Sequence, residues 1–405
     1  MGQSDIEDRL KMKKVEMEHL VQFNELLRYV FQVTNQDLQE VGYEEGEIEQ
    51  AKRPVLKQAD VLGWFDGDKL VSQLAVYPLK VNIHGVIYDM GGVTGVGTYP
   101  EYANFGLMHQ LMRQSLKDMR DRKQTVSYLF PYSIPYYRRK GWEIISDMMT
   151  FSIKDTQLPN LVQVSGMVER TDIYHPDIKL TYDRFARENH AAMIRDELSW
   201  EEYFRWEKEE LTAGIYYNAN HEPLGFVFYW IADDIFYMKE MIYLTEEARS
   251  GLWNFISAHF SMVTDVKGRT YTNEPIAYLL EDSEIVETIQ PYYMARIVDV
   301  EGFLEKYPFR FSEGEAAFHF VVQDPLLEWN QGVFTISFEN GQKKITKEAA
   351  GPAITVDIKA LTTLLFSYKR PSYLAKIGRI QADKRAIQLL EKLIPTETAY
   401  FSDYF

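Results

Sequence analysis

Four glycines fall within seven residues of a strand-like stretch, Gly91-Gly92-Val93-Thr94-Gly95-Val96-Gly97. Each glycine in a strand gives up side-chain packing and costs backbone entropy, so such a run marks a bulge or a place where something lies close against the backbone. The runs VLGWFD, LVSQLAVYPLKV and VIYDM lead into it, with Asp66-Gly67-Asp68 and His84-Gly85 as hairpin turns. Beyond it the chain turns at Pro100 into ANFGLMHQLMRQSLKDM. There Leu107, Met108, Leu111, Met112, Leu116 and Met119 recur at helical spacing and predict one buried stripe. An amphipathic helix over about 16–31 opens this unit, and the strand TVSYLF with the turn YSIPYYRRKGW closes it. Residues 1–155 therefore predict one α/β domain.

From about Tyr182 the order repeats. DRFARENHAAMIRDELSWEEYFRW reads as one aromatic-rich helix, followed by the strands IYYNA, EPLGFVFYWIA and IFYMKEMIYL, the helix EEARSGLWNFISAHF and the strand RTYTN. Identity between the halves is low, but the succession is alike, which predicts a second α/β domain over 156–292. The remainder, 293–405, reads as a small α+β domain with strands AFHFVVQ and GVFTISF, an Asn340-Gly341 turn, a helix DIKALTTLLF capped by Asp357, and a late helix ADKRAIQLLEKLI. The expected linkers are 154–172 and the vicinity of Tyr292.

Composition narrows the chemistry. With no cysteine there are no disulfides, thiolate metal sites or cysteine nucleophiles, which agrees with a reducing compartment. No apolar run approaches the ~18 residues of a membrane span, and the amino terminus has no signal-peptide core; a cytoplasmic protein with no membrane partner is expected. Sixty acidic residues against 44 basic give a net charge of −16, which repels phosphate backbones and attracts cations, so a nucleic-acid partner is not expected and a cationic amine is. The eight histidines form no HExxH or similar ligand spacing, so no metal is expected. Gly95-x-Gly97 opens like a dinucleotide fingerprint, but Pro100 stands at its third position.

The helix start at Gly106 presents free N–H groups and a positive dipole end, which suits a pyrophosphate. From these residues alone, a plain strand–turn–helix that needs glycine for packing reads as well. In the second unit, Thr245-Glu246-Glu247-Ala248 stands at the matching helix start, where two carboxylates would repel a pyrophosphate. One active site per chain, in the first unit, is the expectation. Tyr137, in the turn after the strand, has the acidity of a proton donor to a basic group, or else it merely packs. Four of the last six residues, Tyr400-Phe401-Ser402-Asp403-Tyr404-Phe405, are aromatic, so the chain end should be buried; a final strand of the third domain is one reading.

The bare strand, Val96-Gly97-Thr98-Tyr99-Pro100, a loop ending in Gly106-Leu107 at a helix start, and Tyr137-x-x-x-Gly141-Trp142 together resemble the acetyl-CoA site of GNAT acetyltransferases. With the duplicated unit, the third domain and the aromatic terminus, the whole chain resembles the Eis-like (enhanced intracellular survival) acetyltransferases: two GNAT domains followed by a sterol-carrier-like domain. The resemblance implies acetyl-CoA as co-substrate, with Val96, Gly97 and Thr98 along the pantetheine arm and Asn104, Phe105, Gly106, Leu107, Met108 and His109 around the pyrophosphate. It also puts Tyr132 and Ser133 near the thioester. Tyr137 falls on the proton-donating tyrosine, and the α-carboxylate of Phe405 on the base that receives the amine. A small-molecule or peptide amine as acceptor and a homo-hexamer are further implications. The sequence departs from the family at Ala103-Asn104-Phe105, where arginine or glutamine is usual before Gly106. An alternative stays open at this point: a CoA- or lipid-binding protein that relies on the sterol-carrier-like domain.

Overall fold

The computed structural model describes residues 8–34, 36–37, 52–205, 211–311, 317–339 and 342–405. The Asn340-Gly341 turn therefore lies outside the described residues. The strand-patterned runs become β1 (Leu10–Lys14), β2 (Asp60–Asp66), β3 (Lys69–Ile83), β4 (Val86–Thr98), β5 (Val126–Leu129), β6 (Glu143–Ile144) and β7 (Asp147–Lys154). The second region supplies β8 (Met167–Thr171), β9 (Thr212–Tyr217), β10 (Pro223–Ala232), β11 (Ile235–Tyr243), β12 (Asp265–Tyr271), β13 (Val286–Pro291) and β14 (Met294–Ile297). The third supplies β15 (Phe318–Gln323), β16 (Gly332–Glu339), β17 (Gln342–Thr346), β18 (Ala353–Asp357) and β19 (Ile380–Ala382). They form three mixed sheets, in the orders β1-β2-β3-β4-β5-β14-β6, β13-β7-β12-β11-β10-β9-β8 and β17-β16-β15-β18-β19.

The hairpin turns form as their residues dictate. His84 and Gly85 both take positive φ, 50° and 87°, and join β3 to β4 as a two-residue loop between the paired Ile83 and Val86. Helix Leu107–Asp121 buries Leu107, Leu111, Met112, Leu116 and Met119, while Met108 stays half-exposed. In the third domain Asp357 caps helix Ile358–Leu365 through the Ala360 amide at 2.7 Å, and Phe318, Phe320, Phe334, Leu361, Leu364 and Phe366 fill the interior.

Two expectations change. The aromatic stretch is two helices, Pro176–Glu188 and Glu197–Phe204, because the residues between them hydrogen-bond to the end of β3. Ala191 N–H donates to the Asn82 carbonyl at 2.6 Å and Ile194 N–H to that of Lys80 at 2.8 Å, Ala191 takes φ +65°, and Asp196 then caps the new helix at Ser199. Nor do the sheets stop at residues 155 and 292. β7 pairs with β12 and β13 of the second sheet, and β14 returns between β5 and β6 of the first. The expected linker at Tyr292 is accordingly buried, its hydroxyl bonded to the Asp403 carbonyl at 2.8 Å.

Candidate active site

The first sheet opens at its glycines. β4 and β5 run parallel through three pairs, Met90–Val126, Gly91–Ser127 and Gly92–Tyr128, and no further. On its other side β4 stays paired with β3, but the register jumps between Gln73–Gly97 and Ala75–Thr94, which leaves one extra residue on β4. Gly95, at φ +61°, makes this bulge, a conformation L-residues rarely take. Beyond Gly92 the backbone of β4, from Val93 to Thr98, pairs on the β3 side alone, which leaves its other edge open. Val96, Gly97 and Thr98 lie along it; Thr98 Oγ1 is tied to Ser72 Oγ at 2.7 Å, facing β3. An extended chain could add to this edge as a further strand would.

The other glycines are bare because neighbours occupy the space of their side chains. A Cβ on Gly91 would come within 2.6 Å of Met119 Sδ, and one on Gly92 within 2.8 Å of Phe405 Cε2. Since successive residues face opposite sides of a sheet, these contacts identify the two faces. On the helix side, Val93, Met112, Met119, Leu129, Tyr137 and Trp142 share one cluster. On the other, the ring of Phe405 rests on Gly92, edge-on to Tyr77 at 6.0 Å and tilted to Tyr293 at 5.4 Å. Tyr137 and Phe405 therefore belong to clusters on opposite faces of the first sheet.

Tyr137 is held in the short helix Ile134–Arg138, where its amide and that of Tyr136 both donate to the Ser133 carbonyl. Burial, and secondarily Tyr136, raises its phenol well above the usual 10, so it stays protonated at neutral pH. Gly141 takes φ +93° and leaves room for the buried Arg296, which donates to the Lys140 carbonyl and pairs with Asp324. Tyr132 is exposed and meets Phe31 edge-on at 6.1 Å.

At the phosphate loop, a 3-10 turn over Pro100–Phe105 leads to Gly106 at φ +66°, from which helix Leu107–Asp121 starts. Nothing lies within 4 Å of a Cβ placed on Gly106, so the backbone conformation is what calls for glycine there. Asn104, Gly106 and His109 face solvent, Phe105 and Met108 are half-buried, and Leu107 anchors the turn. The His109 and Gln110 amides donate to the Gly106 carbonyl, so the first helical amides point outward. Lys140 Nζ sits 2.6 Å from His109 Nδ1. Burial, then the charges of Lys140 and Arg113, lowers the His109 pKa, and burial followed by Arg139 lowers that of Lys140. A cation from the Arg138-Arg139-Lys140 turn thus stands beside a loop whose own sequence lacks one.

Sequence reasoning missed how the terminus is seated, because its partners are scattered along the chain. The Phe405 amide donates to Tyr293 Oη at 3.1 Å, and Asp403 pairs with Arg195 at 2.6 Å. A cavity of about 210 Å³ lies on the Phe405 face, lined by Phe23, Leu27, Tyr77, Gly95 and Glu202. It shares Glu202 and Tyr404 with a larger one of about 580 Å³ on the second domain. Among the described residues no group of three or more acidic or histidine side chains could hold a metal ion, and no helix is long and apolar enough to cross a membrane.

Comparison with known proteins agrees with this architecture. Residues 11–145 match an acetyltransferase (GNAT) domain family, 191–297 a second acetyltransferase (GNAT) domain family, and 300–402 the sterol carrier protein domain family. No curated protein matches the chain. Among solved structures, a protein of Enterococcus faecalis V583 described as a "probable N-acyltransferase" is 28% identical, with a TM-score of 0.89 over 98% of this chain and 99% of that one. A GCN5-related N-acetyltransferase of Anabaena variabilis is 25% identical, with a TM-score of 0.85 over 98% and 100%. Eis1 of Mycobacterium abscessus shares the fold at 18% identity, with a TM-score of 0.81 over 98% and 100%.

Proposed function

Since the chain is an Eis-like GNAT protein, two acetyltransferase domains followed by a sterol carrier domain, we propose that it transfers an acetyl group from acetyl-CoA to a primary amine. The observation that carries this reading is the seating of two groups on opposite faces of the glycine-rich sheet: a buried, protonated Tyr137 in the helix-side cluster and Phe405, its ring on Gly92, on the other face. In direct attack the amine nitrogen forms the amide bond while the carbon–sulfur bond breaks. Two proton movements must accompany that exchange. The Phe405 carboxylate takes the proton the amine loses, directly or through a water, and Tyr137 gives its phenolic proton to the leaving thiolate. An acid and a base on opposite sides of the strand opening suit a co-substrate that enters on the helix side and an acceptor that arrives from the other.

The residues present fit acetyl-CoA. The edge of Val96, Gly97 and Thr98 offers strand-like pairing to the pantetheine amides. The amides around Gly106, Leu107 and Met108, with Lys140 near His109, suit its pyrophosphate. Asn104 and Phe105 shape that loop, and Tyr132 and Ser133 border the thioester end. A cytoplasmic setting and a homo-hexamer belong to the same reading. The test is free-thiol release from acetyl-CoA with a panel of primary amines, comparing an amino-terminal tag with two glycines appended after Phe405. Turnover by the first and its loss in the second, with acetyl-CoA still bound, is the expected result. Full turnover with the extended end would remove Phe405 from the mechanism, and no turnover with any amine would overturn the activity.

A further inference from the structure

The second domain repeats the opening of the first, and the carboxyl-terminal tail occupies it. β11 and β12 run parallel through four pairs that end at Met238–Gly268, and a bulge in the β10–β11 register puts one extra residue, Lys239, on β11. Glu240 follows at the point where the strands part. Ser402 of the tail donates to Glu240 and lies 3.1 Å from the Tyr271 hydroxyl of β12. Arg195 grips Glu240 through two bonds of 3.0 Å and bonds Asp403 Oδ1 through Nε at 2.6 Å. All three side chains are within 2% of full burial, and the guanidinium is sandwiched between Tyr182 and Tyr203, 3.7 and 3.9 Å from the ring centroids.

We propose that this buried Asp403–Arg195–Glu240 cluster makes the second domain the anchor that sets where the Phe405 carboxylate stands in the first domain's site. The three are then positioning residues for acetyl transfer, a role that rests on the reading of Phe405 as the base. Three observations support it. A chain end frays unless it is tied down, and among the described residues Phe405 itself is held by the hydrogen bond its amide donates to Tyr293 and by its ring contacts. Asp403 is two residues before Phe405, so their Cα atoms are at most about 7 Å apart and the lever is short. The cluster also fixes register: a slip by one residue would set Ser402 or Tyr404 against Arg195 and leave Asp403 buried without its cation, which is costly. An apolar tail could be buried as well but would tolerate such a slip. Glu240, held by Arg195, is thereby kept for anchoring in a cleft whose helix start bears Glu246 and Glu247.

The decisive variant is Asp403→Asn, isosteric and confined to the tail, with two readouts. The first is release of Phe405 by a carboxypeptidase, which reports anchoring whatever the chemistry. The second is steady-state kinetics. We expect faster release of Phe405, kcat lower by about 10–100-fold, the scale of a misplacement near 1 Å, and KM for acetyl-CoA within twofold. A purely structural role would leave kcat of the folded protein unchanged. Appending two glycines should cost the variant far less than it costs the parent, since the carboxylate is already displaced. An end that stays protected, or release without a fall in kcat, would overturn the proposal. If extension of the parent leaves turnover intact, the role of Phe405 fails, while the protease readout still decides the anchor. Should Asp403→Asn not fold, replacement of the whole cluster by Arg195→Met, Glu240→Leu and Asp403→Leu carries the same test. Full turnover in that triple variant would refute the positioning role.

Discussion

Adding one methyl group at Gly92 tests the seating of the terminus most directly. A Cβ there would stand 2.8 Å from Phe405 Cε2, 3.1 Å from its Cζ and 2.9 Å from Leu79 Cδ1. Ordinary carbon contacts begin near 3.5 Å, so the ring must retreat by roughly 0.7 Å. Leu79 belongs to a strand that cannot move far, so the displacement falls on the chain end. Carried to the α-carboxylate of the same residue, it approaches the misplacement that lowers turnover by about 10²-fold. Gly92→Ala should therefore reduce kcat by about 10–100-fold and leave KM for acetyl-CoA nearly unchanged. Gly91→Ala is the matched control: its Cβ meets the flexible Met119 thioether on the opposite face. It should lower the melting temperature while keeping kcat within about threefold. Initial rates of thiol release, with acetyl-CoA affinity by calorimetry, provide the measurement. Equal loss of kcat in both variants, or none in Gly92→Ala, would refute the argument that the ring of Phe405 sets the position of its carboxylate.

Tyr137→Phe should retain acetyl-CoA binding and lose about 10²-fold in kcat, the usual scale for a positioned acid, whereas Tyr136→Phe should not; equal effects in a rate assay would remove the special role of Tyr137. Gly106→Val forces a β-branched residue to φ +66° and should weaken CoA binding at least tenfold by calorimetry; normal affinity would put the phosphates elsewhere. The rings of His84 and His190 stack at 3.6 Å and reach the Leu365 and Phe366 carbonyls of the third domain. Burial lowers the pKa of His84 to about 4 and that of His190 below its usual 6.5. Because the unfolded chain then binds protons that the folded one does not, stability falls as pH drops from about 6.5 toward 4, and His84 alone accounts for about 2 kcal/mol at pH 5. Denaturant melts at pH 7 and pH 5 should show this loss, and His84→Asn, which tolerates the positive φ of 50°, should flatten it. An unchanged slope would count against the assignment.

Much of this was legible in residue order. The hairpin turns at Gly67-Asp68 and His84-Gly85, the Leu/Met stripe apart from Met108, and the Asp357 cap are local signals, and the structure bears them out. The glycine run announced a bulge or a close approach, and the structure has one of each, at Gly95 and at Gly92. What faces Gly92 could not be read, because Phe405 is brought there by the fold and no local pattern links the two. The aromatic run from Asp183 to Trp206 misled for a related reason. Its composition suits a helix throughout, yet pairing with Lys80 and Asn82 across the domain boundary outweighs that preference at Ala191 and Ile194. No local pattern links Arg195, Glu240 and Asp403, which lie far apart in the chain and meet only in the fold, at full burial.

The return of β14 into the first sheet places a clock on synthesis. Strand β6 cannot take its final neighbour until residues 294–297 exist, although β6 itself ends at residue 144. At the usual 5–20 residues per second, the ribosome needs roughly 8–30 s to cover that interval, during which the nascent first sheet exposes the edge of β5. A gene fragment ending near residue 155 would stay in that state permanently, so the first acetyltransferase domain should not be obtainable alone.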